Sequence, residues 1–176
     1  MSNMRKTVAG LAALIIVVAI VGAGFDDNTS KPMLRNGDQL GMEPNESFSQ
    51  YQQRVVGSLD RDGDGWALVT FDHPLTVEEA GRVTATWNIQ RVSSLTLTQA
   101  KPVAIPEPIA PETRADVVRR TADSSPEVAG GISGALVFAR LAQLRTLAQE
   151  PTVVAIEVLP RDAAFGRFGV RPVVVG

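Results

Sequence analysis

A chain of 176 residues with 17 Lys and Arg, 19 Asp and Glu and no cysteine is long enough for one folded domain with its own core. Its formal net charge of -2 provides no basic field to attract a nucleic-acid backbone, so we expect no nucleic-acid partner. The lack of cysteine excludes disulfides, thiolate nucleophiles and sulfur-rich zinc sites, and it indicates a bacterial envelope rather than a secreted eukaryotic protein.

The first feature in chain order is an uncharged apolar run over residues 8–25, which as a helix spans about 27 Å and fits the hydrocarbon core of a bilayer. A basic pair precedes it at residues 5–6, and an acidic pair follows it at residues 26–27. The positive-inside rule therefore predicts a cytoplasmic N-terminus and an extracytoplasmic remainder. We predict a single-pass cell-membrane protein anchored through residues 1–25. The alternative is a signal peptide, because the small residues at 21–23 also fit a cleavage site.

The next stretch, residues 26–45, is rich in Asp, Asn, Gly and Pro and has no apolar periodicity, which predicts a flexible tether. After it, apolar residues at i, i+3 and i+7 follow Ser47, a residue type that favours helix N-caps. This spacing predicts a short helix over residues 47–56. We place it at the start of a folded extracytoplasmic domain over residues 46–176.

Two β-α-β patterns make up most of this domain. The first helix is predicted to begin at a capping box formed by Thr76 and Glu79. The predicted strands are residues 66–71, 91–98, 132–139 and 152–159, and the second helix is residues 140–149. Two such units in one small domain predict an α+β fold of ferredoxin-like (split βαβ) topology, with four antiparallel strands and both helices on one face of the sheet.

The second of these strands alternates between two sets of residues at period two. Val92, Ser94, Thr96 and Thr98 alternate with Ser93, Leu95 and Leu97. The alternation predicts that the members of each set share one face of the sheet.

A Pro-rich insert separates the two units. Four prolines fall within residues 102–111 and predict an extended connection, after which residues 112–122 are predicted to form a short helix. Beyond the second unit, residues 168–175 are predicted to add an edge strand, since Pro172 lacks the N–H that a central strand needs. We expect the core of the fold to be complete without this last segment.

The stretch from Leu144 to Glu157, LRTLAQEPTVVAIE, resembles the last helix and strand of subtilisin propeptide and proteinase inhibitor I9 domains. In those domains a leucine helix, a proline and a Val-x-x-Val-Glu strand recur. The resemblance covers under a tenth of the chain, and the Pro-rich insert departs from the compact family pattern. It implies the ferredoxin-like fold and, for the family, the roles of intramolecular chaperone and protease inhibitor.

An acidic loop offers one candidate metal site. Asp60, Asp62 and Asp64 match the first half of a calcium loop, in which carboxylates at alternate positions converge on a hard cation. The twelfth position of such a loop holds a bidentate Glu, whereas Phe71 stands there in this chain. We therefore favour the alternative, a polar Asp/Gly turn leading into a strand, and we predict no metal or other cofactor.

Residues suited to catalysis are few. His73 is the one histidine, and it lies between Asp72 and Pro74 in a predicted solvent-exposed turn. Glu78 and Glu79 suit the start of a helix, where the macrodipole favours negative charge. The sequence contains no phosphate loop, dinucleotide fingerprint or HExxH motif. We therefore predict that the chain is not an enzyme.

The C-terminal segment interleaves aromatic and basic residues with glycines. Aromatic and arginine side chains are frequent anchors of protein interfaces. The predicted partner-binding residues are Phe165, Arg167, Phe168 and Arg171. The alternative is an ordinary edge strand with a solvated arginine face.

These features favour a non-enzymatic, membrane-anchored protein-binding module that serves as an accessory or regulatory subunit of a larger bacterial envelope complex. The expected partner is an integral membrane or envelope protein, and residues 8–25 are expected to contact the lipid bilayer. A propeptide-like inhibitor or chaperone of an envelope protease is the alternative. An envelope enzyme is the third hypothesis.

Overall fold

A computed structural model of the chain describes residues 37–175. The residues from Gly37 onward form one compact unit. The predicted anchor over residues 8–25 lies outside the described residues. Within the described part, no helix combines the length and the apolar character that crossing a membrane requires.

The described part is an α+β domain, as predicted. Its strands are β1 (Gln39–Leu40), β2 (Asp64–Leu75), β3 (Arg91–Leu97), β4 (Val103–Ala104), β5 (Ile132–Arg140), β6 (Val153–Val158) and β7 (Gly169–Val170). Its helices are α1 (Phe48–Val55), α2 (Val77–Thr86), α3 (Arg114–Ser124) and α4 (Leu141–Leu147). Short 3-10 turns follow α1 and α3, over Val56–Leu59 and Pro126–Gly130.

The main sheet has the strand order β4-β3-β5-β2-β6, and all neighbouring strands are antiparallel. The first strands of the two predicted β-α-β units, β2 and β5, are neighbours at the centre of the sheet. Their second strands, β3 and β6, lie on either side of that central pair. The Pro-rich connection adds β4 as a short fifth strand beside β3, where the sequence predicts only an extended connection.

One face of the sheet packs against helices α2, α3 and α4. The sequence sets the start of α2, because Thr76 and Glu79 form the predicted capping box, with each side chain bonded to the other residue's backbone N–H. Apolar residues from β2, β3 and β5 meet Ala80 of α2 and Leu141 and Leu144 of α4 in the largest apolar cluster. These three helices therefore bury one side of every long strand.

The opposite face of the sheet is also covered, and the C-terminal segment takes part in covering it. Leu68 and Leu136 of the sheet pack in a second cluster with residues from α1, β1 and the C-terminal segment. Phe168 and Val173 are only 8% and 7% exposed. The expectation that the core is complete without this segment was therefore wrong.

The start of the folded domain differs from the sequence prediction. Strand β1 pairs in parallel with β7, so that Gln39 lies opposite Gly169 and Leu40 opposite Val170. Leu40 is fully buried. The domain thus begins near Gly37 rather than at residue 46, and the C-terminal strand pairs with β1 rather than with an edge of the main sheet.

The outer edge of β6 is covered by side chains from α1 and the turn after it. Gln52 donates from Nε2 to the carbonyl oxygen of Val154 at 3.0 Å. Ser58 Oγ donates to the carbonyl oxygen of Ile156 and accepts from the N–H of Val158, both at 3.2 Å. These bonds engage backbone groups that an edge strand would otherwise present to another chain.

Candidate protein-binding surface

Three aromatic rings gather at one end of the second sheet face, and we call them the aromatic surface. Trp66 on β2 lies opposite Phe138 on β5, with ring centroids 5.1 Å apart. Phe165, from the loop after β6, stacks on Trp66 at 4.9 Å with an interplanar angle of 30°. Phe165 is 50% exposed, and the other two rings are partly buried. The aromatic surface is therefore accessible from solvent while its rings are held against one another.

Strand register explains why these side chains meet. Residues directly opposite on antiparallel strands present their side chains to the same face, which places Trp66 and Phe138 side by side. Arg91, on β3, lies directly opposite Phe138, so its side chain is on the same face. The guanidinium carbon of Arg91 is 5.4 Å from the centroid of the Phe165 ring, within the distance of a cation–π contact. Phe165 is thus held between Trp66 and Arg91.

A cavity of about 330 Å³ adjoins the aromatic surface. The rings of Trp66 and Phe138 form part of its wall, and residues 63–65, 160–161 and 163 contribute to the rest. Binding sites for specific contacts are typically concave and mostly apolar, with a few polar groups placed at their edges. The cavity combines an aromatic wall with two charged residues, Asp64 and Arg161, and it is large enough to hold one side chain of a partner.

Arginines border the aromatic surface. Arg91, Arg140 and Arg161 are exposed, and none of the three makes an ion pair with a residue in the described range 37–175. Arg140 is two residues beyond Phe138 on β5 and therefore shares its face. Arg161 lines the cavity and donates to the carbonyl oxygen of Asp62. Acidic residues lie among them, because Asp64 is directly opposite Arg140 in the strand register and the exposed Asp162 follows Arg161, so the border carries charges of both signs.

The structure separates the two predicted aromatic anchors. Phe165 belongs to the aromatic surface, whereas Phe168 lies in the second core cluster. The Phe168 ring contacts Trp66 from the interior side of the domain, with centroids 5.8 Å apart. Phe168 is therefore a core residue that supports the aromatic surface from below.

The two predicted arginine anchors differ as well. Arg171 forms an ion pair with Glu43 at 2.5 Å, and its N–H donates to the carbonyl oxygen of Leu40 at 2.8 Å. These bonds tie the C-terminal segment to the start of the domain. Arg167 is exposed, and its carbonyl carbon and oxygen pack closely against Gly37. Of the four predicted partner-binding residues, the structure places Phe165 alone on the aromatic surface.

Two of the three aspartates of the calcium candidate engage other side chains. Asp62 pairs with Arg145 at 3.4 Å, and Asp64 accepts from Nε2 of Gln90 at 3.3 Å. Across residues 37–175, no three or more His, Asp or Glu side chains are grouped so that they would hold a metal ion. The loop around Asp60 therefore has the contacts of a polar turn.

We expect millimolar calcium to leave the melting temperature of the chain unchanged. A ligand that binds only the folded state at a hundredfold excess over its Kd stabilises by about 2.7 kcal/mol, which a thermal melt detects as a shift of several degrees. Melts with calcium, with magnesium and with a chelator test this expectation. A shift specific to calcium that Asp62→Ala abolishes would contradict it.

The single histidine has one close charged neighbour. Nδ1 of His73 lies 2.7 Å from Oδ1 of Asp72, and both side chains are well exposed. Among the described residues, no hydroxyl is hydrogen bonded to His73, so no Ser-His-Asp arrangement forms there. In the helix that follows, hydrogen bonds from Thr76 lower the pKa of the Glu79 carboxyl below its ordinary value, as expected for a capping residue.

A cluster of charged side chains lies between α1 and β6. Arg54 donates from Nη1 to Oε1 of Glu157 at 2.6 Å, and the N–H of Gly41 donates to Oε2 of the same carboxylate at 2.6 Å. A hydrogen bond from Arg54 lowers the pKa of the Glu46 carboxyl, and the bond to Glu46 raises the pKa of Arg54. Burial raises the pKa of the Tyr51 hydroxyl. Both oxygens of Glu157 are already bonded to protein donors, so this group ties α1 and β6 together.

No family model matches the chain, and comparisons with curated proteins and with solved structures give no match either. The aromatic surface offers exposed ring area, one cavity and bordering charged residues of both signs. This combination suits binding through apolar contact and charge-assisted hydrogen bonds.

Proposed function

We propose that this chain is a non-enzymatic, membrane-anchored protein-binding module that serves as an accessory or regulatory subunit of a larger complex in a bacterial envelope. Residues 8–25 form its membrane anchor, and the remainder is a ferredoxin-like domain on the extracytoplasmic side. The strand order β6-β2-β5-β3, with α2 and α4 in the two β-α-β connections, supports the ferredoxin-like assignment. The partner is an integral membrane or envelope protein.

The observation that carries the proposal is the half-exposed Phe165 ring stacked on Trp66. Aromatic and arginine side chains dominate the binding energy of protein interfaces, and truncating one such anchor typically costs at least about 2 kcal/mol. The stacking partners fix the ring before binding, so little side-chain freedom remains to be lost on association. An anchor in the membrane adds to the effective concentration of the module near a membrane partner.

We expect Phe165→Ala to weaken partner binding strongly while leaving the melting temperature nearly unchanged. A loss of about 2 kcal/mol weakens binding roughly 30-fold. The measurement is affinity purification of the tagged full chain from solubilised membranes, quantified by mass spectrometry. Val56→Ala is the matched control, since Val56 is 75% exposed and lines a different cavity, formed with residues 153–156 of the edge strand β6.

Two results would contradict the proposal. One is a set of co-purifying proteins that is the same for the wild type, Phe165→Ala and Val56→Ala. The other is a loss of co-purification accompanied by unfolding of Phe165→Ala, because Phe165 would then stabilise the domain rather than bind a partner.

A second candidate function is a propeptide-like inhibitor or chaperone of an envelope protease. The segment that resembles this family forms α4 and β6, joined at Pro151, within a sheet of the expected strand order. On this hypothesis the purified full chain slows cleavage of a peptide substrate by an envelope protease. Unchanged cleavage at saturating concentrations of the chain would remove this candidate.

A further inference from the structure

Two Asp-Gly pairs follow one another where the chain enters β2. They are Asp62-Gly63, in the loop before the strand, and Asp64-Gly65, at the start of the strand itself. We infer that Asp62 is a site of spontaneous modification, at which the aspartate isomerises to isoaspartate, and that folding protects Asp64 from the same reaction. This inference goes beyond the proposed function and does not depend on it.

The reaction requires only water and the atoms of one Asp-Gly pair. The backbone nitrogen of Gly63 attacks the protonated carboxyl group of Asp62, so that a bond from nitrogen to Cγ forms, the nitrogen loses its proton and one water leaves. The product is a five-membered succinimide ring. Water that adds at Cγ breaks the new bond and restores aspartate. Water that adds at the main-chain carbonyl carbon breaks the original peptide bond and leaves the chain linked through Cγ, which is isoaspartate.

At Asp62 the two reacting groups are accessible to one another. The Asp62 side chain is 96% exposed, and its contact with Arg145 at 3.4 Å is a surface ion pair that solvent screens. Within residues 37–175, the N–H of Gly63 donates no hydrogen bond to a backbone carbonyl. Gly63 has no side chain to obstruct ring closure, and its φ of +107° shows a backbone conformation that glycine adopts readily. The attack can therefore proceed without breaking a strand or a helix.

The second pair is held by the sheet. Asp64 and Gly65 are the first two residues of β2, and Gly65 lies opposite Ala139 of β5. Gly65 is buried, and a Cβ at this position would lie 3.1 Å from Cγ1 of Val158. Closing the ring rotates the backbone between the two residues, which here would displace β2 from its neighbours. Backbone groups inside a sheet open far less often than those in an exposed loop. Two identical dipeptides are thus expected to react at different rates.

The modification would alter the wall of the cavity beside the aromatic surface. Gly63 lines that cavity together with Trp66. Arg161 donates to the carbonyl oxygen of Asp62 at 2.5 Å, so this peptide group helps to hold the wall in place. Isoaspartate adds one methylene group to the main chain at this point and converts the bonded carbonyl into a free carboxylate.

The test compares the folded chain in detergent micelles with the chain denatured in guanidinium chloride, both kept for several weeks at physiological temperature. Peptide mass spectrometry with electron-based fragmentation measures isoaspartate at residues 62 and 64 separately. In the folded chain we expect isoaspartate to form at least tenfold faster at residue 62 than at residue 64. In the denatured chain the two rates should agree to within about threefold, because no strand protects either pair.

Two substitutions at the same position are the controls. Asp62→Glu should remove the modification at residue 62, because the corresponding ring has six members and closes much more slowly. Asp62→Asn should accelerate formation of isoaspartate, because the nitrogen attacks a neutral amide more readily than a carboxylate, with ammonia leaving instead of water. Gly63→Ala is unsuitable, since a residue with a side chain would be strained at this positive φ.

Three results would overturn the inference. The first is equal rates at residues 62 and 64 in the folded chain. The second is isoaspartate that appears at residue 62 only after denaturation, which would show that the loop protects Asp62 as well as the strand protects Asp64. The third is no isoaspartate at residue 62 in either state.

Discussion

Replacement of Phe168 with alanine is expected to lower the free energy of unfolding by about 3–5 kcal/mol, the usual cost of removing a buried phenylalanine ring. Phe168 is 8% exposed and lies in the second core cluster with Leu40 and Tyr51. Its ring also contacts Trp66, at 5.8 Å between centroids. The change leaves a cavity under both β1 and the aromatic surface. Urea denaturation followed by circular dichroism measures the loss.

Phe165→Ala makes the same chemical change three residues earlier and is the matched control. Phe165 is 50% exposed, so its truncation is expected to cost less than about 1 kcal/mol of folding stability. Equal destabilisation by the two changes would show that the structure misassigns the two rings. Together they separate a residue that stabilises the domain from a residue that is available to a partner.

The difference between these two phenylalanines was not predictable from the sequence. Both stand in the same glycine-rich, arginine-rich stretch, and neither belongs to a helix or a long strand whose periodicity would assign it a face. Their environments depend on contacts with residues about 100 or more positions away, such as Trp66 and Leu40. Local patterns carry no information of that kind.

The elements with strong local signals were predicted well. The two β-α-β units rest on β-branched strands, amphipathic helices and one capping box, all of which are properties of short segments. By contrast, β1 and β7 have two residues each and exist only because they pair with one another. The single apolar residue Leu40 in a polar stretch gives no periodic signal, although it is fully buried.

Strand β3 shows how one irregularity overturns a prediction based on alternation. The register shifts between Val92 and Ser94, so Val92 packs in the same core cluster as Leu95 and Leu97 rather than facing the same side as Ser94. A bulge inserts one extra residue, so the residues after it face the side opposite to the one that strict alternation predicts. The predicted shared face of Val92 and Ser94 was therefore wrong.

The aromatic surface was missed for a related reason. Trp66, Phe138 and Arg91 come from three different strands, and they meet only because of the strand order and register of the sheet. The usable signal was the position of Trp66 at the start of a strand, directly after a polar turn, where a large aromatic ring reaches the end of the sheet. The side chains that lie beside that ring could be identified only from the strand register.

Gly134→Ala is expected to cost at least about 3 kcal/mol, or to prevent folding, because the added methyl group overpacks the centre of the sheet. A Cβ at this position would lie 2.1 Å from the carbonyl oxygen of Val69 and 2.9 Å from Oγ1 of Thr96. Strand β5 is hydrogen bonded to β2 on one side and to β3 on the other. Neither neighbour can therefore retreat without breaking its own ladder.

Gly130→Ala is the control for this prediction, since a Cβ at Gly130 would meet no atom within 4 Å. Its effect on the free energy of unfolding is expected to stay within about 1 kcal/mol, because glycine is replaced where there is open space. The measurements are the soluble yield of the two variants and urea denaturation of each variant that folds. Equal stability of the two variants would mean that β5 is displaced in solution from its close contact with Val69, and the register that brings Phe138 to Trp66 would then be in doubt as well. The stability of Gly134→Ala thus tests the sheet on which the aromatic surface is built.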